Sequence, residues 1–245
     1  MVAAARSHPE RGIALITVMA MLLMCIAVVL ASARTGLLHE MLTGNESDQL
    51  RARAAAEALV KDAESDIRGL SSDGGPCGAA NGNEPATGYV GCRHRGVGMQ
   101  PSAPYFPRDV EDLDEVAALV SADAALPCRN GICVPASLAL LDRLEDKLDA
   151  MTAVAATYGQ YTRAAAPSGS AGNPVLATNP ARAWYWVEAF RYDIGRDAVA
   201  KGNVASPDPA RPFVYRVTAI ALGLKPGTKA VVKSYFVPYP SGQLQ

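Results

Sequence analysis

Histidine is scarce in this sequence: His8, His39 and His94 are all it has among 245 residues, and aromatic residues make up only 6%. The five cysteines, at 25, 77, 92, 128 and 133, nowhere form a C-x-x-C pair. With so few histidines near them, they lack the spacing of a zinc site. Charge of either sign is not in excess. The 23 Lys+Arg and 24 Asp+Glu leave a formal net charge of −1, which gives no electrostatic footprint for a polyanion and makes nucleic acid an unexpected partner. His39-Glu40 does not extend to H-E-x-x-H, because the fourth position onward is Thr43, and no G-x-S-x-G, G-x-x-x-x-G-K-[ST] or G-x-G-x-x-G occurs. No catalytic constellation and no cofactor or metal is implied.

What is present begins with Ile13 to Ala33, an uncharged run of 21 residues. At about 1.5 Å per residue it covers a hydrocarbon core of roughly 30 Å. Arg6 and Arg11 precede it in a short polar leader, so the positive-inside rule places the N-terminus in the cytoplasm and everything after Arg34 outside. Two processing routes compete. Ala31-Ser32-Ala33 offers the small-residue site of a secretory signal, although the run is longer than an ordinary signal core. Alternatively, Gly12 directly precedes the run, and a cut between Gly12 and Ile13 on the cytoplasmic side would leave the membrane helix on the mature protein. No linker separates the run from a helix-forming stretch that continues to Ile67, in which Ala52, Ala56, Leu59, Ala63 and Ile67 recur at helical spacing. Gly36 and Gly44 are its only breakers. That continuity favours the retained helix.

Four of the five cysteines lie in the polar part of the chain. Cys128-Arg-Asn-Gly-Ile-Cys133 contains Asn130-Gly131, the strongest two-residue hairpin signal, which would set Cys128 opposite Cys133. Cys77 would then pair with Cys92 by elimination; closing a loop of about 15 residues contributes roughly 3 kcal/mol in the chain-entropy model. Four cysteines still allow three connectivities, or four free thiols. Cys25 would stay reduced in the membrane. Disulfides imply an exported domain.

In that domain, residues 69–108 read as a long irregular region needing a cross-link. Asp109 to Ala125 reads as a short acidic helix, and Pro135 sits near the start of a stronger helix striped by Leu138, Leu141, Leu144, Leu148 and Met151. The acids Asp109, Glu111, Asp112, Asp114 and Glu115 lack the central glycine of a calcium loop and suit a solvated helix start. After a Pro/Gly-rich loop at 165–179, three strands are expected at Trp184–Tyr192, Pro212–Leu222 and Lys229–Tyr239, the last two joined as a hairpin through Pro226-Gly227. Trp184, Trp186, Phe190 and Tyr192 share strand parity and are expected to be core rather than a sugar platform. Helices followed by strands give an α+β class.

Arg11-Gly12-Ile13-Ala14-Leu15-Ile16, Leu38-His39-Glu40-Met41-Leu42-Thr43-Gly44-Asn45 and Ala54-Ala55-Ala56-Glu57-Ala58-Leu59, with Asp62-Ala63-Glu64 after it, together resemble the PilX family of type IV pilus assembly proteins. The resemblance covers roughly residues 10–65, with a weaker echo at Tyr215-Arg216-Val217-Thr218-Ala219 and none in the centre. It implies a long pilin-like N-terminal helix packed on an antiparallel sheet, with extra helices and disulfide-constrained loops. The implied organisation is a leader at 1–12, a transmembrane half-helix at 13–33, an amphipathic half at 34–68 and a periplasmic domain at 69–245. The implied role is non-enzymatic: priming pilus assembly in the inner membrane with other minor pilins, the major pilin and a large tip adhesin. A type II secretion pseudopilin is the nearest alternative, and an exported enzyme cut after Ala33 is one of a different class. Counting from Ile13, the fifth residue is Thr17, where the resemblance implies a glutamate in major pilins.

Overall fold

The computed structural model describes residues 11–78, 90–94, 102–121, 126–134, 141–165, 172–192 and 206–240. Pro135 and Leu138, most of the 1–12 leader, and parts of both long loops lie outside the described residues. The elements are helix α1 (Arg11–Arg68), helix α2 (Asp112–Ser121), strands β1 (Cys128–Arg129) and β2 (Ile132–Cys133), a 3-10 turn (Leu144–Lys147), helix α3 (Leu148–Thr152), and strands β3 (Ala156–Thr157), β4 (Ala183–Arg191), β5 (Phe213–Leu222) and β6 (Lys229–Phe236). The chain divides into two compact units, Met1–Ser47 and Asp48–Gln245.

Within the first unit α1 runs on through Gly36 and Gly44. Its apolar side chains, from Leu15 through Leu30 to Leu42, are exposed on all sides of the helix. The stretch is long and apolar enough to cross a membrane. Its hydroxyls suit that solvent: Thr17 donates to the Ala14 carbonyl at 2.9 Å, Ser32 to Val28 at 2.9 Å and Thr35 to Ala31 at 3.0 Å. Each of these three hydroxyls is thereby satisfied inside its own helix, as a span in hydrocarbon would require.

The second unit is α+β. The last turns of α1 bury Ala52, Ala55, Ala56, Leu59, Ala63 and Ile67, and the four alanines let the helix lie close on one face of the sheet. That face presents Tyr185, Val187 and Ala189 from β4, Phe213, Tyr215, Val217, Ala219 and Ala221 from β5, and Ala230 and Phe236 from β6, all in one apolar cluster with α1. Strand order is β1-β2-β4-β5-β6, with β3 also on β4. β4, β5 and β6 form an antiparallel meander, with Val187 opposite Val217 and Ala219 opposite Val232. The three expected strands are all present. The sheet is mixed rather than purely antiparallel: β2 pairs β4 in parallel, Ile132 with Val187, while β3 pairs the start of β4 antiparallel, Tyr185 with Ala156. β5 occupies one edge of β4 and the short strands share the other.

The reverse face of the sheet carries a smaller core of Trp186, Ile220, Leu141, Leu144 and Met151 with Cys128 and Cys133. Among the described residues the expected continuous helix is interrupted: Leu141 and Asp142 are helical, a 3-10 turn follows at Leu144–Lys147, and the five-residue α3 comes after it. Leu141, Leu144 and Met151 are buried and Leu148 packs partly buried against them, as the stripe required; its steps of three and four residues fix which side chains face the sheet, not whether the backbone between them is α or 3-10. Trp186 Nε1 donates to the Met151 carbonyl at 3.2 Å, tying the segment to the sheet at the end of α3. Trp186 is fully buried and Trp184 packs partly buried beside it, so these two are core as expected, whereas Phe190 and Tyr192 are half-buried and belong to neither cluster.

Candidate functional site

α1 carries aspartates on its buried face. Asp48, Asp62 and Asp66 are 1%, 5% and 2% exposed, and each fastens a different segment of the second unit to the helix. Positions 62 and 66 are one turn apart, and 48 lies five turns from 66, so all three share the apolar stripe's phase.

The Asp48 carboxylate accepts from the amides of Leu224 and Lys225, both at 2.9 Å, in the β5–β6 turn. Burial pushes this carboxyl up, but the Lys225 and Leu224 amides and the Thr228 hydroxyl outweigh it and hold it below its ordinary value. Asp62 accepts from the Gly159 amide at 2.9 Å and from the Thr162 hydroxyl. Its environment acts in the opposite sense: burial pushes the carboxyl up to about 6, against the two hydrogen bonds. It borders a small cleft of about 190 Å³ lined by Lys61, Ser65, Ser72 and Tyr158.

Asp66 forms a buried ion pair with Arg93, side chains 1% and 3% exposed, and also accepts from the Tyr185 hydroxyl at 2.9 Å. The Arg93 guanidinium stacks 3.7 Å from the Tyr161 ring centroid and 4.8 Å from that of Phe106, and it donates to the Asn130 carbonyl at the hairpin tip. Burial would lower the Arg93 pKa, but the Asp66 charge and the Tyr185 and Tyr161 hydroxyls outweigh it and raise it, so the guanidinium stays charged. Beside it, the Arg108 guanidinium donates to His94 Nδ1 at 3.2 Å, and His94 Nε2 donates to the Asp66 carbonyl at 3.0 Å. That is the neutral tautomer, and burial lowers the His94 pKa.

A second ion pair lies on the reverse face, where cross-strand partners Glu188 and Arg216 meet at 2.5 Å and Asp142 joins Arg216 and Lys233 at 3.3 and 2.8 Å. The acidic cluster before α2 is partly structural: Asp112 is buried and accepts from the Arg108 and Asp109 amides at 2.9 and 3.1 Å.

The positions singled out in the sequence fall as follows. Gly12 and Ile13 lie in the opening turn of α1, and Thr17 is exposed on it with its hydroxyl returned to the helix backbone. Cys128 and Cys133 are disulfide-bonded directly across the hairpin, Cα atoms 4.0 Å apart, with Asn130 and Gly131 at φ +51° and +74°. Cys77 and Cys92 form the other disulfide, Cα atoms 5.5 Å apart, and Cys25 is free and exposed on α1. Among the described residues no cluster of three or more His, Cys, Asp or Glu could hold a metal. The three aspartates and Arg93 were not foreseen, although acids recurring at the phase of an alanine stripe are a signal readable from the sequence.

The family model for the type IV pilus assembly protein PilX C-terminal region matches residues 111–238, from α2 to the end of the sheet. The chain belongs to the PilX family. The match lies where the sequence motifs were silent, apart from the echo at Tyr215–Ala219, so the helical resemblance at 10–65 and the PilX match at 111–238 are independent parts of one chain. No curated protein and no solved structure matches. PilX proteins are pilus assembly components and are generally structural rather than enzymatic; the apolar helix and the family together indicate a membrane or pilus location.

The raised Asp62 carboxyl makes a pH prediction. The folded chain holds this proton more tightly than the unfolded chain, whose carboxyl titrates near 3.8. Asp62 therefore removes stability as pH rises from about 4 to about 6, by roughly 3 kcal/mol in total. In Asp62→Asn the amide oxygen can still accept from Gly159 while its NH2 donates to Thr162. Urea unfolding of that variant is expected to lose most of the decline between pH 4 and 6 and to show equal or greater stability than the parent at pH 7. An unchanged pH profile would contradict the assignment.

Proposed function

We propose that this PilX protein is a minor pilin that primes assembly of a type IV pilus by protein–protein association. Its membrane helix would be retained after cleavage between Gly12 and Ile13, residues 13–33 spanning the inner membrane and the domain after Arg68 standing in the periplasm. The observation that carries the reading is Thr17. In the family resemblance, a glutamate at this position compensates the N-terminal ammonium of a neighbouring subunit, and an unpaired charge in hydrocarbon is costly. Thr17 has only a hydroxyl, already engaged with Ala14, so this subunit offers no carboxylate to a neighbour. Such a subunit fits one end of a helical stack, where it would meet other minor pilins, the major pilin and a tip adhesin.

Deleting the gene is expected to cut the number of surface pili at least several-fold while leaving the length of the remaining pili unchanged, as counted by electron microscopy. Normal pilus numbers, or antibody labelling of the protein uniformly along filaments, would refute the priming role.

A further inference from the structure

α1 ends in a Schellman cap: Gly69 sits at φ +73°, and the amides of Gly69 and Leu70 return to the carbonyls of Asp66 and Ser65 at 3.0 and 2.9 Å. The Cys77 amide then donates to the Gly69 carbonyl at 2.9 Å, which hangs the first cysteine directly on the cap. From Cys77 the disulfide crosses to Cys92, the next residue is Arg93, and the Arg93 guanidinium returns to Asp66, three residues before Gly69. Asp66, Gly69, Cys77, Cys92 and Arg93 thus close a short ring of alternating covalent and non-covalent links around the end of α1. Outside the ring, the backbone of 90–94 is held by Val90 N to Gln160 O at 2.9 Å, Cys92 N to Gly78 O at 3.2 Å and Phe106 N to Arg93 O at 3.2 Å.

We propose that the Cys77–Cys92 disulfide and the Asp66–Arg93 ion pair act as one latch, so that docking of the Val90–His94 segment against α1 is conditional on oxidation. A buried ion pair forms only when its partners are held in place, because desolvation opposes it and an unpartnered buried charge is worse. The disulfide supplies that placement by shortening the path from the α1 cap to Arg93. In the reduced chain Arg93 can leave for water, and Asp66 then faces the core with Tyr185 as its remaining side-chain donor among the contacts described. Oxidation is a thiol–disulfide exchange: the Cys77 and Cys92 thiols give up two protons and two electrons to the disulfide of an exported oxidoreductase, which becomes a dithiol. The latch rests on the reading above only for the compartment in which that oxidant is met.

Linkage makes the coupling reciprocal, so it can be read at the disulfide. Detergent-solubilised full-length protein is equilibrated in glutathione buffers and quenched by alkylation, and the Cys77 and Cys92 peptides are quantified by mass. In Asp66→Asn/Arg93→Met the equilibrium constant for forming Cys77–Cys92 is expected to fall at least tenfold. In Glu188→Gln/Arg216→Met, which removes the ion pair of the reverse face, it should stay within threefold of the parent. An unchanged constant in the first variant, or an equal fall in the second, would overturn the latch. Should the first variant lose its tertiary circular dichroism, Arg93→Lys replaces it, keeping the charge without the planar fork. At least a threefold fall is expected there, and an unchanged constant overturns the proposal equally. Because this assay involves no filament, its failure leaves the priming role untouched, and failure of the priming role leaves the latch standing.

Discussion

Arg93→Ala is expected to destabilise the second unit by about 3–5 kcal/mol, the scale for stripping one partner from a buried ion pair. The substitution leaves the Asp66 carboxylate in a core position with the Tyr185 hydroxyl, removes the cation stacked between Tyr161 and Phe106, and takes a donor from the Asn130 carbonyl at the hairpin tip. The segments carrying Asp66, Phe106, Asn130, Tyr161 and Tyr185 lose their common contact at once. Asp66→Asn/Arg93→Met, which removes both charges, should lose less than Arg93→Ala, because no lone charge remains inside. Chemical denaturation of the detergent-solubilised chain, followed by tryptophan fluorescence of the largely buried Trp186 and Trp184, measures this ordering. A loss under 1 kcal/mol for Arg93→Ala would mean that the pair is not buried as described.

Gly159→Ala is the second substitution with a large expected effect. Gly159 adopts φ +73°, and a Cβ there would collide with the backbone of Ala164. Its own amide is the donor to Asp62. The left-handed conformation costs about 1–2 kcal/mol for a residue with a Cβ, and relieving the collision by moving the loop adds about 1–3 kcal/mol and weakens the hold on Asp62. Gly227→Ala is the control: φ is similar, +82°, but nothing lies within 4 Å of the added carbon, so only the conformational cost of about 1–2 kcal/mol is expected. Equal losses at the two glycines would show that the Gly159–Ala164 contact carries no weight.

The three long strands were legible because each is rich in aromatic or β-branched residues, with large residues alternating along Trp184–Tyr192, and because Pro226-Gly227 marks the turn between the last two. The hairpin was legible because Asn130-Gly131 suits left-handed backbone at both positions. β3 was not: two residues, Ala156 and Thr157, are a strand only because β4 supplies the partner, and no local pattern encodes a contact of that range. The parallel pairing of β2 with β4 is hidden for the same reason. On α1 the apolar stripe was readable, but the same phase also holds Asp48, Asp62 and Asp66, which composition alone assigns to solvent. Their burial depends on the Leu224–Lys225 turn, the Gly159 loop and Arg93; for Asp62 and Asp48 the backbone donors are 97 to 177 residues away, so the phase of the acids is readable in the sequence but their partners are not.

The retained membrane helix is the premise on which the priming role stands, and the mature N-terminus tests it most directly. Mass spectrometry of the protein extracted from membranes should find a chain beginning at Ile13, cut after Gly12, with Thr17 as its fifth residue. A mature chain beginning at Arg34 would remove the whole apolar segment and contradict the pilin account.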